Sequence, residues 1–495
     1  MPFQDTTTVY DQLKPFIDQE AYAKDCESSI VILKYLTGYH SPILQILHIW
    51  KPLLHATTSI MTPFRGAPAC DFGFTPIDAA LRTKVITLTS LVAECPSCAY
   101  PLKPIVLTPS MISEREQVAL NAVVGATVIP AARSERTRKK VVERFGEKGL
   151  QLLGTFIASM ALTNTITSLV CVDIEADVQK DMEVALAGTG WKMGRHKTAS
   201  TTMNANDNQQ PTSLTIFKHI LKVLKEAKIT MSSFPSKPAD LTNWIQSKFG
   251  FQPRYLSKMI SFESKKAMCF NLHLSLFTSS TTHSPDLQQH PYSMPFKDKL
   301  MVSFVYSIAI PNTYLASHFA FLAHQHGISA ESLLEAEKQS KQPLSEISES
   351  TDFMTLVLMV TSRIAVRNSE FYDVAPLLFP ATGNPKSLLE MLSLLGSLSM
   401  LHRYTAMWDD EAGLEADLVP VIKGEFGKAV GLSESEYSAN CSNGSTVGLS
   451  NIGGISYAGS SAQRMTVPVA TAVRDMKQTL SPDSALPWGG GVTYA

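Results

Sequence analysis

The sequence lacks an excess of charge of either sign. Its 495 residues contain 43 Lys and Arg against 44 Asp and Glu, a formal net charge of −1. Without a basic excess there is no general electrostatic attraction to nucleic acid or to an anionic membrane surface. Charged residues make up 18% of the chain, below the ~25% usual for soluble domains. We therefore expect a globular protein with an uncharged polar surface, and neither nucleic acid nor a membrane as partner.

Long hydrophobic runs are also missing, since no segment reaches the ~18 consecutive apolar residues that indicate a membrane-spanning helix. The nearest case is the uncharged stretch 149–172, which contains several Ser, Thr, Asn and Gln residues. That composition favours a buried amphipathic helix. The first residues do not show a basic region followed by an apolar one, so no secretory signal is expected.

Cysteine is scarce, with 7 in the chain, and such an odd, scattered set does not form a disulfide framework. This pattern indicates a reducing, cytoplasmic location. Cys95 and Cys98 form the one close pair. A zinc site would need a second pair, so we expect no metal and no other cofactor. The pair is either a redox-active dithiol at a helix start or two buried small apolar residues.

Strand-like alternation is rare along the chain, whereas apolar residues recur at helical spacing. Helices are predicted over residues 28–36, 43–54 and 77–91, in the run that ends at Val124, and across 149–172. The predicted fold class is therefore all-α.

Three pairs of short segments resemble each other and occur in the same order along the chain, which suggests a duplicated helical domain. They are residues 41–47 and 252–258, 112–114 and 347–349, and 174–178 and 414–418. Polar composition marks an interdomain linker, and Ser- and Gly-rich composition marks a tail that we expect to be disordered. The predicted organisation is a first domain at 1–195, a linker at 196–213, a second domain at 214–431 and the tail at 432–495.

The segments LRTKVITL at 81–88 and ECPSC at 94–98 resemble the core of the alkylhydroperoxidase-D-like superfamily, which includes carboxymuconolactone decarboxylase. Residues 112–116 resemble the start of that family's next helix, and residues 152–167 resemble its closing helix. The second half resembles the same arrangement at 297–309, 311–327, 352–366 and 387–408. The resemblance implies two alkylhydroperoxidase-D-like helical domains in one chain, which functions as a monomer or a homodimer.

The peroxidases of that family use one Glu, a Cys-x-x-Cys pair and a following His, in which Glu and His form a proton relay that activates the thiols. The first half of this chain retains the cysteines, with Thr83 and Leu102 at the Glu and His positions. The second half retains His318, and the Glu and Cys positions hold Lys299, Pro311 and Tyr314. Neither half therefore carries the complete relay.

The loss of the relay favours a non-redox enzyme that binds a small hydrophobic molecule in a helical pocket. The resemblance implies that Tyr314, His318, His402 and Tyr404 are its polar anchors, since Tyr and His join an apolar body to a hydrogen-bonding tip. The implied reaction is a decarboxylation, an isomerisation or a cyclisation, including pericyclic ring closure, in a fungal natural-product pathway. The alternatives are a thiol peroxidase or disulfide reductase that uses Cys95 and Cys98, and a non-catalytic binding protein.

Overall fold

The structure is a computed structural model that describes most of the chain. The described residues are 7–37, 42–64, 76–93, 112–127, 135–176, 195–199, 212–260, 265–277, 294–348, 350–407 and 414–431, with a few isolated positions that include Cys95 and Cys98. The predicted tail at 432–495 lies outside them, as do positions 200–211 of the predicted linker.

The N-terminal half contains nine of the described α-helices and two short strands. They are α1 (Val9–Leu13), α2 (Gln19–Asp25), α3 (Glu27–Thr37), α4 (Ile43–His48), α5 (Lys51–Phe64), α6 (Ala79–Val92), α7 (Glu114–Thr127), α8 (Glu135–Val170), β1 (Ile174–Glu175), β2 (Thr198–Ala199) and α9 (Ser213–Thr230).

The described residues of the C-terminal half form helices and the turns between them, with no strand. Its α-helices are α10 (Pro238–Phe249), α11 (Arg254–Ile260), α12 (Lys265–Leu272), α13 (Phe296–Ala309), α14 (Thr313–Gln325), α15 (Ala330–Ser340), α16 (Phe353–Ala365), α17 (Phe371–Val374), α18 (Leu378–Thr382), α19 (Pro385–Met407) and α20 (Val419–Val421). Wider π-helical turns at His273–Phe277 and Ile422–Phe426 follow α12 and α20.

The predicted all-α class is confirmed, because the only strands among the described residues are two residues long. β1 and β2 pair in parallel, with Ile174 opposite Thr198 and Glu175 opposite Ala199. The buried His196 ring adds a 2.8 Å hydrogen bond between Nδ1 and the Val172 carbonyl. The first residues of the predicted linker are therefore held against the end of α8.

The described residues fall into two compact units. The first unit contains those of Leu13–Ser232 and Arg403–Met407, and the second contains those of Met1–Gln12, Ser233–His402 and Trp408–Gly459. Helix α9, which the sequence analysis places at the start of the second domain, belongs to the first unit. Its apolar stripe of Ile216, Ile220 and Val223 is buried against Ile32 of α3.

In the first unit, α6, α7 and α8 pack on one another. Helix α7 begins in a capping box: the Ser113 hydroxyl accepts a hydrogen bond from the Glu116 amide, and the Glu116 carboxylate accepts one from the Ser113 amide. Helix α8 is broken at Gly146, whose φ of 69° and ψ of 175° are not helical. Its residues 136–170 are long and apolar enough to cross a membrane, but the apolar window is entirely buried inside the protein. The expectation of a buried helix here agrees with the structure.

The single helix predicted over residues 43–54 is two helices, and this prediction is wrong. Helix α4 ends at His48, and α5 begins at Lys51 with Pro52 in its first turn. The proline ring would collide with the carbonyl of His48 in a continuous helix, and proline has no amide hydrogen to donate. The chain therefore makes a turn at Ile49 and Trp50.

In the second unit, α13 packs against α14, α15 and α16. The helix starts are set by side-chain caps, because Asn312 accepts a hydrogen bond from the Leu315 amide and Asp352 accepts one from the Thr355 amide. Helices α13, α14, α16 and α19 lie within two residues of the segments that the family resemblance implies for the second half.

Candidate functional site

The carboxylate of Glu415, whose side chain is 10% exposed, lies at the centre of a polar cluster in the second unit. One of its oxygens is 2.9 Å from His318 Nε2. The other accepts hydrogen bonds from the Tyr314 hydroxyl at 2.5 Å and from the Arg254 backbone amide at 3.0 Å. The Arg254 Nε is 3.9 Å from that second oxygen. The carboxylate is thus bound by groups from α11 and α14.

Two of the side chains that bind Glu415, those of Tyr314 and His318, come from helix α14. Tyr314 and His318 are four residues apart, so they lie on the same face of the helix one turn from each other. Their rings have centroids 4.3 Å apart. Asn312 fixes the beginning of this helix, and thereby the position of both side chains, through the cap described above.

Aromatic side chains surround the His318 ring. Tyr255 of α11 stacks on it with an interplanar angle of 22° and centroids 5.6 Å apart. Phe251 approaches edge-on at 4.9 Å. The Arg254 guanidinium lies 5.7 Å from the centre of the Tyr314 ring. His318 is completely buried, whereas the Arg254 side chain is 29% exposed, so Arg254 marks the side of the cluster that is closest to solvent.

The contacts of Glu415 decide its ionisation. Burial opposes the charged form, but the hydrogen bonds from His318 and Tyr314 and the attraction of His318 outweigh it and lower the pKa of Glu415 to about 2. Burial and the neighbouring Glu415 charge raise the pKa of Tyr314, and burial raises the pKa of Tyr255. At neutral pH the site therefore holds one carboxylate and two protonated phenols.

An ionised Glu415 can only accept hydrogen bonds. His318 Nε2 must then donate in their contact, which leaves Nδ1 as the ring nitrogen that Glu415 does not bind. Within the described residues, neither His318 Nδ1 nor the Tyr255 hydroxyl has a hydrogen-bond partner, although both are buried. A histidine whose ring is oriented by a carboxylate is the usual arrangement of a general acid–base catalyst.

The sequence analysis places four polar anchors together, and the structure separates them. Tyr314 and His318 meet at Glu415. His402 Nδ1 instead forms a 2.9 Å hydrogen bond with the Asn312 side chain, so it supports the start of α14. Tyr404 belongs to the first unit, where its ring lies near Gly154 of α8.

Cys95 and Cys98 are buried thiols that are not joined by a disulfide, and they pack with Ile86 and Met160. Burial, followed by a hydrogen bond with Cys98, raises the pKa of the Cys95 thiol well above its ordinary value. The reactive form of a cysteine is the thiolate, and this environment disfavours it.

Lys299, which the sequence analysis places at the position of the relay Glu, contacts a carboxylate. It is completely buried on α13 and forms an ion pair with Glu390 of α19, which is 3% exposed. Burial lowers the pKa of Lys299 and raises the pKa of Glu390, against their mutual attraction. The pair links two helices of the second unit.

The first unit also holds a histidine beside a carboxylate. His48 Nε2 is 3.1 Å from Asp25, whose side chain is 34% exposed and also contacts Lys51 at 2.7 Å. The lysine hydrogen bond, followed by that of His48, lowers the pKa of Asp25. Because Asp25 and Lys51 are partly exposed, solvent screens this contact more strongly than the one between His318 and Glu415.

Among the described residues, no three His, Cys, Asp or Glu side chains are grouped as metal ligands.

The sequence analysis assigned no role to Glu415 or Tyr255. Both lie in the segments that suggested the internal repeat, and that was the signal available for them.

Comparison of the chain with protein-family profiles, curated proteins and solved structures found no match in any of the three.

Proposed function

We propose that this protein is a non-redox enzyme that transfers protons within a small hydrophobic molecule, with His318 as the acid–base residue. The observation that carries the proposal is the contact between His318 Nε2 and the ionised Glu415, which directs Nδ1 away from its own carboxylate. An imidazole held in this way can remove a proton from a bound molecule and return it to another position. That chemistry suits an isomerisation or a cyclisation in natural-product biosynthesis.

The surroundings of His318 support an apolar substrate. Tyr255 and Phe251 contribute ring faces and edges, and both are nearly or fully buried. Aromatic walls stabilise apolar ligands by burying large surface areas. They also strengthen interactions with the few polar groups by excluding water.

The thiol alternative is less well supported, because Cys95 is buried and its pKa is raised. A peroxidatic cysteine needs an accessible thiolate. Serine at both cysteine positions is therefore expected to leave the function intact.

We further propose that the chain is a divergent tandem of alkylhydroperoxidase-D-like domains. The support is the sequence resemblance, together with the matching helices α6, α7 and α8 in the first unit and α13, α16 and α19 in the second. An experimental structure in which these two helix sets superpose in the same order and direction would support the tandem. Different packing within the two sets would contradict it.

The functional test is metabolite profiling after the gene has been deleted in its own organism. A precursor should accumulate, and the wild-type gene should remove it. Restoration should fail with His318→Gln and be reduced with the isosteric Glu415→Gln. It should succeed with the Cys95→Ser, Cys98→Ser double variant.

His324→Gln is the matched control, because His324 is an exposed histidine of the same helix. Protein levels of each variant are measured in the same strains, so that failure to fold is recognised. Full restoration by a well-expressed His318→Gln variant would overturn the proposal. Failure of the double cysteine variant alone would return the thiol mechanism to first place.

A further inference from the structure

The Tyr255 hydroxyl is the second unpartnered polar atom beside His318, and the mechanism above does not use it. Tyr255 is 2% exposed, and its oxygen has no hydrogen-bond partner within the described residues. A buried hydroxyl without a partner is unfavourable, because the group has lost its hydrogen bonds to water and gained none in return. Such a cost is commonly retained where a ligand supplies the missing partner.

Two facts fix what the hydroxyl can do. Burial and the nearby Tyr314 and Glu415 raise its pKa, so the phenol stays protonated and acts as a donor. Its ring stacks on the His318 ring with centroids 5.6 Å apart, so the phenol and the imidazole belong to the same buried cluster, in which both the phenol oxygen and Nδ1 lack a partner among the described residues. The site thus pairs a hydrogen-bond donor with a base.

We infer that the substrate is a carbonyl compound with an acidic C–H bond next to the carbonyl group. This inference rests on the proposed role of His318 and adds the substrate class and a second residue. Tyr255 donates a hydrogen bond to the carbonyl oxygen, while His318 Nδ1 removes the proton from the neighbouring carbon. The electrons of the broken C–H bond form a C=C bond, and the carbonyl electron pair moves onto oxygen as an enolate.

The step is balanced without an oxidant or reductant. The enolate charge is stabilised by the Tyr255 hydroxyl in a site that excludes water. In a β,γ-unsaturated substrate the enolate is conjugated with the second C=C bond. The imidazolium then returns the proton to the γ carbon, the two double bonds shift by one position with the carbonyl group restored, and the product is the α,β-unsaturated isomer. Glu415 stabilises the intermediate imidazolium through Nε2.

The test uses a stable mimic of the enolate. A flat aromatic alcohol, 2-naphthol, presents an oxygen on an apolar framework, and naphthalene presents the same framework without it. Binding of each compound to the full-length protein is measured by fluorescence. One or two satisfied hydrogen bonds predict that 2-naphthol binds about tenfold or more tightly than naphthalene.

This preference should fall below about threefold in Tyr255→Phe, which removes only the hydroxyl. It should remain in Tyr306→Phe, a matched loss of a buried hydroxyl on α13. An unchanged preference in Tyr255→Phe, or no preference in the wild type, would overturn the inference.

The gene-deletion strain separates this inference from the function on which it rests. If Tyr255→Phe clears the precursor as well as the wild type and His318→Gln does not, the carbonyl inference fails and the proton-transfer function stands. If both variants clear it, both proposals fail.

Discussion

At the scale of single residues, Glu415 shows how a buried charge is retained. Taking a carboxylate out of water is unfavourable unless hydrogen bonds and an opposite charge replace the solvent. Here a phenol, an imidazole and a backbone amide do so. These contacts lower the pKa of Glu415 from its ordinary value of 4.5 to about 2, which means that the folded state favours the ionised form.

A pH-dependent stability follows from this shift. Because the pKa is lower in the folded state, the stabilisation is complete above about pH 4.5 and is lost as the pH falls towards about 2. Between about pH 6 and about pH 3, the wild type should lose about 1 to 2 kcal/mol more unfolding free energy than Glu415→Gln. Urea denaturation of both proteins at the two pH values measures this difference. Equal losses would mean that Glu415 is not selectively ionised in the folded protein.

The cysteines give a second prediction at this scale. Since Cys95 is buried and its pKa is raised, alkylation by iodoacetamide should be about a hundredfold or more slower in the native protein than in guanidinium. Peptide mass spectrometry resolves each cysteine separately. Labelling of Cys95 at similar rates in both states would show that the thiol is accessible and would revive the redox alternative.

At the scale of elements, the break in α8 depends on one glycine. Gly146 combines φ 69° with ψ 175°, a region that residues with a Cβ enter only with strain, although no atom would contact an added Cβ. Gly146→Ala should therefore lower the unfolding free energy by about 1–3 kcal/mol. Gly424→Ala is the control, because its surroundings are equally open and its φ is not in the positive region. Equal effects of the two changes would show that the break does not require glycine.

The ion pair between α13 and α19 predicts strong coupling between two helices. Lys299→Met or Glu390→Met alone leaves one buried charge unpaired and should cost about 3–5 kcal/mol. The double variant removes both charges and should recover most of that loss. Denaturant unfolding of the four proteins forms a complete double-mutant cycle. Additive losses would contradict a direct, buried contact between the two side chains.

The sequence was most informative about where individual helices lie. Periodic apolar residues are local signals, so helices α3 and α6 could be predicted, although α6 begins at Ala79, two residues after the predicted start. Pro52 is also a local signal, but the predicted helix was based on apolar spacing alone and therefore ran through this proline. The grouping of α9 with the first unit depends on contacts with α3 and α5, and contacts distant in sequence leave no local pattern.

At the scale of the whole molecule, the candidate site was only half predictable. Tyr314 and His318 share one helix, and their residue types indicated polar anchors. Glu415 is 97 positions beyond His318 in the chain, and Tyr255 is on another helix, so only the folded chain brings them together. His402 and Tyr404 have the same residue types, but their neighbours give them other surroundings.

The most direct test of the account is the turnover of the accumulated precursor by the purified protein. Wild type, His318→Gln and His324→Gln are compared for rate and for melting temperature. Acid–base catalysis by His318 predicts that His318→Gln loses about a hundredfold or more in rate, with a melting temperature near that of the wild type, while His324→Gln retains full activity. Wild-type turnover by a folded His318→Gln variant would contradict the account.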